Sequence, residues 1–128
     1  MLLYLTLGTN DLTRAKRFYE STMPVLGLEL RTANEREFGY GNVGDSTSPW
    51  LWVNEPYDKQ PASFGNGSMI AFVTDTRAKV DAFYQAALSN GGSNDGAPGL
   101  RSYHASFYAC YVRDPDGNKL SAVCEKPD

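Results

Sequence analysis

Phe107-Tyr108-Ala109-Cys110-Tyr111-Val112-Arg113-Asp114-Pro115-Asp116-Gly117-Asn118-Lys119-Leu120-Ser121-Ala122-Val123-Cys124 is the stretch that decides the fold. Seven strand-favouring residues lead into Asp114-Pro115-Asp116-Gly117. Proline suits the second position of a type I turn, and glycine takes the positive φ that follows. A second apolar run returns, so the stretch reads as a hairpin closing one edge of a ligand-binding sheet.

Working backwards, Asn90 to Arg101 is glycine-rich and reads as mobile or poor in strand. Before it, Met69 to Val73 is a strand and Thr74-Asp75 a cap. Val80, Phe83, Tyr84, Ala87 and Leu88 then mark one face of a helix that stops near Gly91-Gly92. The same grammar appears at the start of the chain. Leu2 to Leu7 alternates, with Leu3, Leu5 and Leu7 on one side and Tyr4 and Thr6 on the other. Asn10 or Asp11 caps a helix from about Leu12 to about Met23, which Pro24 and Gly27 end. Strands follow at Leu28 to Thr32, Glu37 to Asn42 and Trp50 to Asn54, and Glu55 to Gly67 reads as a link. Phe83-Tyr84 trails Phe18-Tyr19 by 65 residues, the interval that also separates Met69 from Tyr4. The spacing predicts two copies of one strand-helix-strand-strand-strand unit, about 1–60 and 66–128, in a single domain. One helix cannot cover both faces of such a sheet. Two units side by side leave a concave face lined by the parity opposite to the core: Tyr4 and Thr6 on one opening strand, Met69 and Ala71 on its counterpart.

A chain of 128 residues hides roughly two-thirds of its unfolded surface without staples. The net charge is −3 with no basic stripe, which argues against nucleic acid and anionic membrane as partners and does not single out a cationic ligand. A small molecule or another protein is the expected partner. Two cysteines without a framework, no leader-like start and no apolar run near ~20 residues point to the reducing cytoplasm. Cys110 and Cys124 read as small buried residues, with a disulfide between their strands as the alternative.

Leu5-Thr6-Leu7-Gly8-Thr9-Asn10-Asp11-Leu12 with Arg17-Phe18-Tyr19, Val80-Asp81-Ala82-Phe83-Tyr84, Gly96 to His104 and Tyr111 to Leu120 together resemble the vicinal oxygen chelate superfamily of glyoxalases, bleomycin resistance proteins and extradiol dioxygenases. The resemblance implies an α+β fold of two βαβββ modules forming a curved mixed sheet around a cleft, and a homodimer, since many relatives pair so that both chains flank their clefts. In the metal-using members it resembles, one residue on each of four strands binds the ion. Carried over by position, the histidines fall on Tyr4 and Met69, the last glutamate on Ser121, and the other carboxylate near Trp52, with parity open by one residue. A phenol with a pKa of about 10, a thioether, an indole and a serine hydroxyl are poor donors to hard or borderline divalent ions. The expectation is therefore no zinc, nickel, manganese or iron there, and no cofactor.

Tyr4, Trp52, Met69 and Ser121 suggest instead an apolar and aromatic pocket with one hydroxyl. Trp50 shares a strand face with Trp52, and core packing is its favoured role. Arg101 and Tyr103 are further ligand-binding candidates, Arg101 through its planar fork of donors. His104, the only histidine, and Tyr108 are weak candidates for acid–base catalysis. Asp11, Asp114 and Asp116 read as caps and turn residues, and Arg31, Glu35, Arg36 and Glu37 as a solvated edge. The preferred function is metal-independent binding of a small, mainly apolar or aromatic molecule. The alternatives are a lyase or isomerase of glyoxalase or dioxygenase type, using a displaced metal site or His104, and an interaction module whose cleft is filled.

Overall fold

The computed structural model describes all 128 residues. Strands are numbered β1 (Leu5–Gly8), β2 (Leu28–Ala33), β3 (Glu37–Asn42), β4 (Leu51–Asn54), β5 (Ile70–Thr74), β6 (Ser93–Leu100), β7 (Tyr108–Arg113) and β8 (Lys119–Cys124); helices are α1 (Leu12–Thr22) and α2 (Arg77–Ser89). Each βαβββ module makes its own mixed four-stranded sheet, ordered β1-β4-β3-β2 and β5-β8-β7-β6. In both, the opening strand lies parallel to the closing one and the remaining contacts are antiparallel. A helix must carry the chain away from an opening strand before a parallel neighbour can form beside it.

Local chemistry starts and stops the helices. The Asp11 carboxylate accepts the Arg14 N–H at 3.0 Å, so of the two candidate caps it is Asp11 that starts α1. Pro24 tightens the exit into a 3-10 turn over Met23–Leu26, and Gly27 leaves it at φ 77°. The cap of α2 differs from the sequence expectation: Thr76 accepts from Lys79 N–H. Thr74, still paired in β5, bonds instead to the Thr76 carbonyl, and Asp75 pairs with Lys79 at 2.9 Å.

The larger correction is at 90–101. Glycine-rich Ser93–Leu100 is an eight-residue edge strand. It tolerates its composition because its pairing with β7 is interrupted by register shifts between Asn94 and Gly96 and between Gly96 and Gly99, where backbone freedom is required. Pro98 sits on an edge, where a missing donor costs little.

Ala15, Phe18 and Tyr19 from α1 and Val80, Phe83 and Ala87 from α2 meet in one cluster of 19 buried residues, together with Phe38, Tyr40, Leu51 and Val53 of the first sheet and Cys110, Val112 and Leu120 of the second. Each fully buried Leu, Val or Phe contributes roughly 1.5–3 kcal/mol. The hairpin turn also joins the modules. Asp116 accepts from Asn10 N–H at 2.9 Å and from Arg14 at 2.8 Å, and the buried Asp114 accepts the Tyr19 hydroxyl at 2.6 Å. Burial pushes the Asp114 carboxyl above its ordinary value despite these hydrogen bonds, and pushes the Tyr19 phenol up as well. Both aspartates are thus bound up in the turn, as expected from their positions. Asn10 in turn holds the inter-module link at Ala62 through paired bonds of 2.7 and 3.1 Å.

Candidate functional site

With α1 and α2 occupying one face of the sheets, the other face carries the residues of opposite parity. On the first sheet the register sets Thr6 beside Trp52 and Trp52 beside Gly39. This resolves the open parity: Trp52 points away from the core face held by Leu51 and Val53. Gly39 is needed there because a Cβ would come within 2.9 Å of both the Trp52 ring and Pro49. The indole packs against the neighbouring strand at Gly39. The next row contains Gly8, Asn54 and Glu37.

Thr6, Trp52, Asn54 and Glu37 of these two rows floor a cavity of about 820 Å³. Tyr4, Trp50 and Trp52 supply aromatic surface, Thr6, Asn54 and Glu37 polar groups, and Thr47-Ser48-Pro49 with Leu2 and Leu3 form walls. Trp50 does both jobs considered for it. Its ring packs near Phe72 with centroids 6.2 Å apart, its N–H donates to Asn42 at 2.8 Å, and the rest faces the cavity. Glu37 also lines this space, which corrects its reading, together with Arg31, Glu35 and Arg36, as a solvated edge. Its membership was visible only as alternation with the buried Phe38 and Tyr40. A second, mainly apolar cavity of about 480 Å³ between the modules takes in Met69, Ala71 and Trp50.

On the second sheet the equivalent row is Ala71, Ser121, Tyr111 and Gly96. Ser121 therefore occupies the place that Trp52 occupies in the first module. It is fully buried, and its hydroxyl has no hydrogen-bond partner. The Arg101 guanidinium lies 5.3 Å and the Lys119 ammonium 5.4 Å from the Tyr111 ring centroid. Lys119 and Arg113 share Asp95, while Arg101 donates to the Ala97 carbonyl at 2.7 Å. Tyr4 and Trp52 thus come together around one cavity, whereas Ser121 and Arg101 lie on the other sheet. Tyr103 is exposed and packs edge-on against Phe107.

His104 shares a 2.8 Å hydrogen bond with Glu125, and its Nδ1 accepts from Ser106 N–H. That arrangement fastens the 101–107 segment to the chain end. Tyr108 lies on the helix face and donates to Asp81 at 2.6 Å, a bond that, with burial, pushes its phenol up to about 12. Neither lines the cavity floored by Trp52.

The family's metal does not fit the donors present. Tyr4, Trp52, Met69 and Ser121 supply no imidazole or carboxylate, and nowhere do three His, Cys, Asp or Glu side chains come together as a ligand set.

Two βαβββ modules, each presenting an open sheet face opposite its helix, define the glyoxalase-like class of α+β proteins. The chain matches the Glyoxalase/Bleomycin resistance protein/Dioxygenase superfamily over residues 2–121 and belongs to it. A glyoxalase/bleomycin resistance protein from Albidiferax ferrireducens T118 is 35% identical, with 97% of each chain covered and a TM-score of 0.81. A glyoxalase-related enzyme from Fulvimarina pelagi shares the fold at 19% identity, covering 97% of this chain and 87% of its own, with a TM-score of 0.76. A fosfomycin resistance protein from Mesorhizobium loti does so at 21% identity, with 98% and 92% covered and a TM-score of 0.69. No curated protein matches the sequence.

Proposed function

We propose that the chain binds a small, mainly apolar or aromatic molecule on the open face of its first sheet without the family's metal, and does so as a cytoplasmic homodimer. The observation that carries this reading is the cavity of about 820 Å³ floored by Trp52 and flanked by Tyr4 and Trp50. Its volume lies within the ~300–1,000 Å³ range typical of drug-sized ligand sites. Flat rings over a stiff β-sheet floor gain contact area at little entropic cost.

The homodimer is supported by what the single chain leaves bare. Leu2 and Leu3 on the cavity wall are 83% and 82% exposed, and Val73 on β5 is 77% exposed. A second chain would cover them and close the open side. The cytoplasmic assignment is supported by two free, buried cysteines, Cys110 having its thiol pushed up to about 11 by burial. No helix is long and apolar enough to cross a membrane.

A thermal-shift series against aromatic metabolites tests the site. Ligands that raise the midpoint of the wild type are expected to lose most of that shift in Tyr4→Ala and Trp52→Ala. Equal shifts in wild type and both variants would remove the cavity from consideration. Ser121→Ala in the same series reports whether the second sheet contributes.

A further inference from the structure

The ligand class can be narrowed from the charge inside the cavity, an argument that rests on the cavity being the binding site. Among the eleven residues lining it, Glu37 is the only charged one. Its carboxylate makes neither an ion pair nor a hydrogen bond. Arg31, a cation on the same sheet face, is already engaged. It stands beside Gly41, two residues beyond Gly39, and bonds Glu29 at 3.1 Å, the Thr47 carbonyl at 3.0 Å and the Asn42 carbonyl. The remaining cations on open sheet faces, Arg101, Arg113 and Lys119, belong to the second sheet.

Glu37 and Trp52 are close on the floor, since Glu37 pairs with Asn54 and Gly39 with Trp52 along the same two strands. The cavity therefore offers one unneutralised carboxylate beside two indoles and a phenol. The negative faces of such rings attract a cation, indole most strongly. A carboxylate partly withdrawn from water and lacking a partner gains most from a charge that a ligand brings. An anionic ligand would meet repulsion with no cation among the lining residues to offset it.

We infer that the first-sheet cavity is a receptor for an organic monocation, a primary to quaternary ammonium carried on an aromatic or branched apolar body, with Glu37 as its counter-ion. The net charge of −3 does not reveal this preference, because it depends on one carboxylate at one strand position.

The chain has only two tryptophans, both in the cavity wall, so intrinsic fluorescence reports binding directly. Benzyltrimethylammonium, benzyl alcohol and benzoate serve as cationic, neutral and anionic probes of similar body. Benzyltrimethylammonium is expected to quench with a Kd at least ~10-fold below that of benzyl alcohol, and benzoate to bind weakest. Glu37→Gln should bring the cationic and neutral probes to parity, Glu37→Asp should retain part of the preference, and added salt should weaken only the cation. Equal affinity for the three probes, or an unchanged Kd in Glu37→Gln, overturns the inference. If benzyl alcohol binds in a manner abolished by Trp52→Ala while charge has no effect, the cavity stands as the ligand site and only its cation preference fails. Absence of binding by every probe overturns both.

Discussion

Trp52 sets the character of the site, and Gly39 sets the position of Trp52. Gly39→Ala puts a methyl group within 2.9 Å of the indole and of Pro49. Crowding of this kind costs about 1–3 kcal/mol. The expected outcome is a lower melting temperature together with altered tryptophan emission, because the ring must lift from the strand. An unchanged spectrum would show that the indole is not held there. A second residue, Tyr19, is a test of buried polar pairing. Tyr19→Phe removes the 2.6 Å bond to Asp114 and leaves that carboxylate with Asn118 and backbone donors only, at a cost of about 1–3 kcal/mol. The sign of its pH dependence follows from the direction of the Asp114 shift. Burial raises this carboxyl, so the folded state holds the proton more tightly than the unfolded state. The resulting penalty on the fold is absent below the ordinary carboxylate range and complete once the pH exceeds the folded value. Loss of the Tyr19 hydroxyl, which favours the ionised form, enlarges the penalty. The destabilisation by Tyr19→Phe, measured by urea unfolding, is therefore expected to be larger at pH 7 than at pH 3. Equal losses at both would detach Asp114 from the effect. Asp114's structural role was legible from the Asp-Pro-Asp-Gly turn, whereas its partner 95 residues earlier in the chain was not.

The elements differ in how openly the sequence declares them, and β6 shows why. The two helices carry their own spacing and caps, and the β7–β8 hairpin carries its own turn, so each is specified by residues close in sequence. β6 is specified from outside. Ser93 to Leu100 has almost no strand-favouring side chains, and its pairing is set by Tyr111 on β7, whose ring fills the space a side chain at Gly96 would need. Gly96 combines φ 149° with a Cβ position only 2.8 Å from that ring. Gly96→Ala is expected to cost at least ~2 kcal/mol, more than a glycine replacement in an ordinary exposed strand. Chemical denaturation gives the value, and a loss under ~0.5 kcal/mol, the range of neutral surface changes, would mean that β6 is not anchored as described. The same logic applies to β3, where Glu37 reads from the sequence, with Arg31, Glu35 and Arg36, as a solvated edge. Its place in the cavity lining depends on β4 lying alongside with Trp52 in register, which no window along β3 contains.

At the scale of the whole molecule, the 65-residue recurrence made the duplication readable, and the pairing of opening to closing strand in both sheets is its structural counterpart. What a single sequence cannot display is which surfaces a second copy would cover. β1 and β5 are each the edge of their sheet, with one side unpaired, and both carry exposed apolar side chains: Leu2, Leu3 and Tyr4 just before β1, Met69 just before β5 and Val73 within it. Natural edge strands are normally blunted by charge, proline or cover. These carry no charged residue between Met1 and Gly8 or between Met69 and Thr74, so cover is the device left to them. The proposed homodimer supplies it and at the same time shuts the open side of the cavity formed by Leu2 and Leu3. Sedimentation at tens of micromolar is then expected to give a dimer, and Leu3→Lys combined with Val73→Lys a monomer. Since both side chains are more than three-quarters exposed in the single chain, the double variant should keep its far-UV spectrum and fold. A wild type that sediments as a monomer at that concentration would refute the pairing and leave the cavity open to solvent along β1. A double variant that remains dimeric would move the contact away from these two strands.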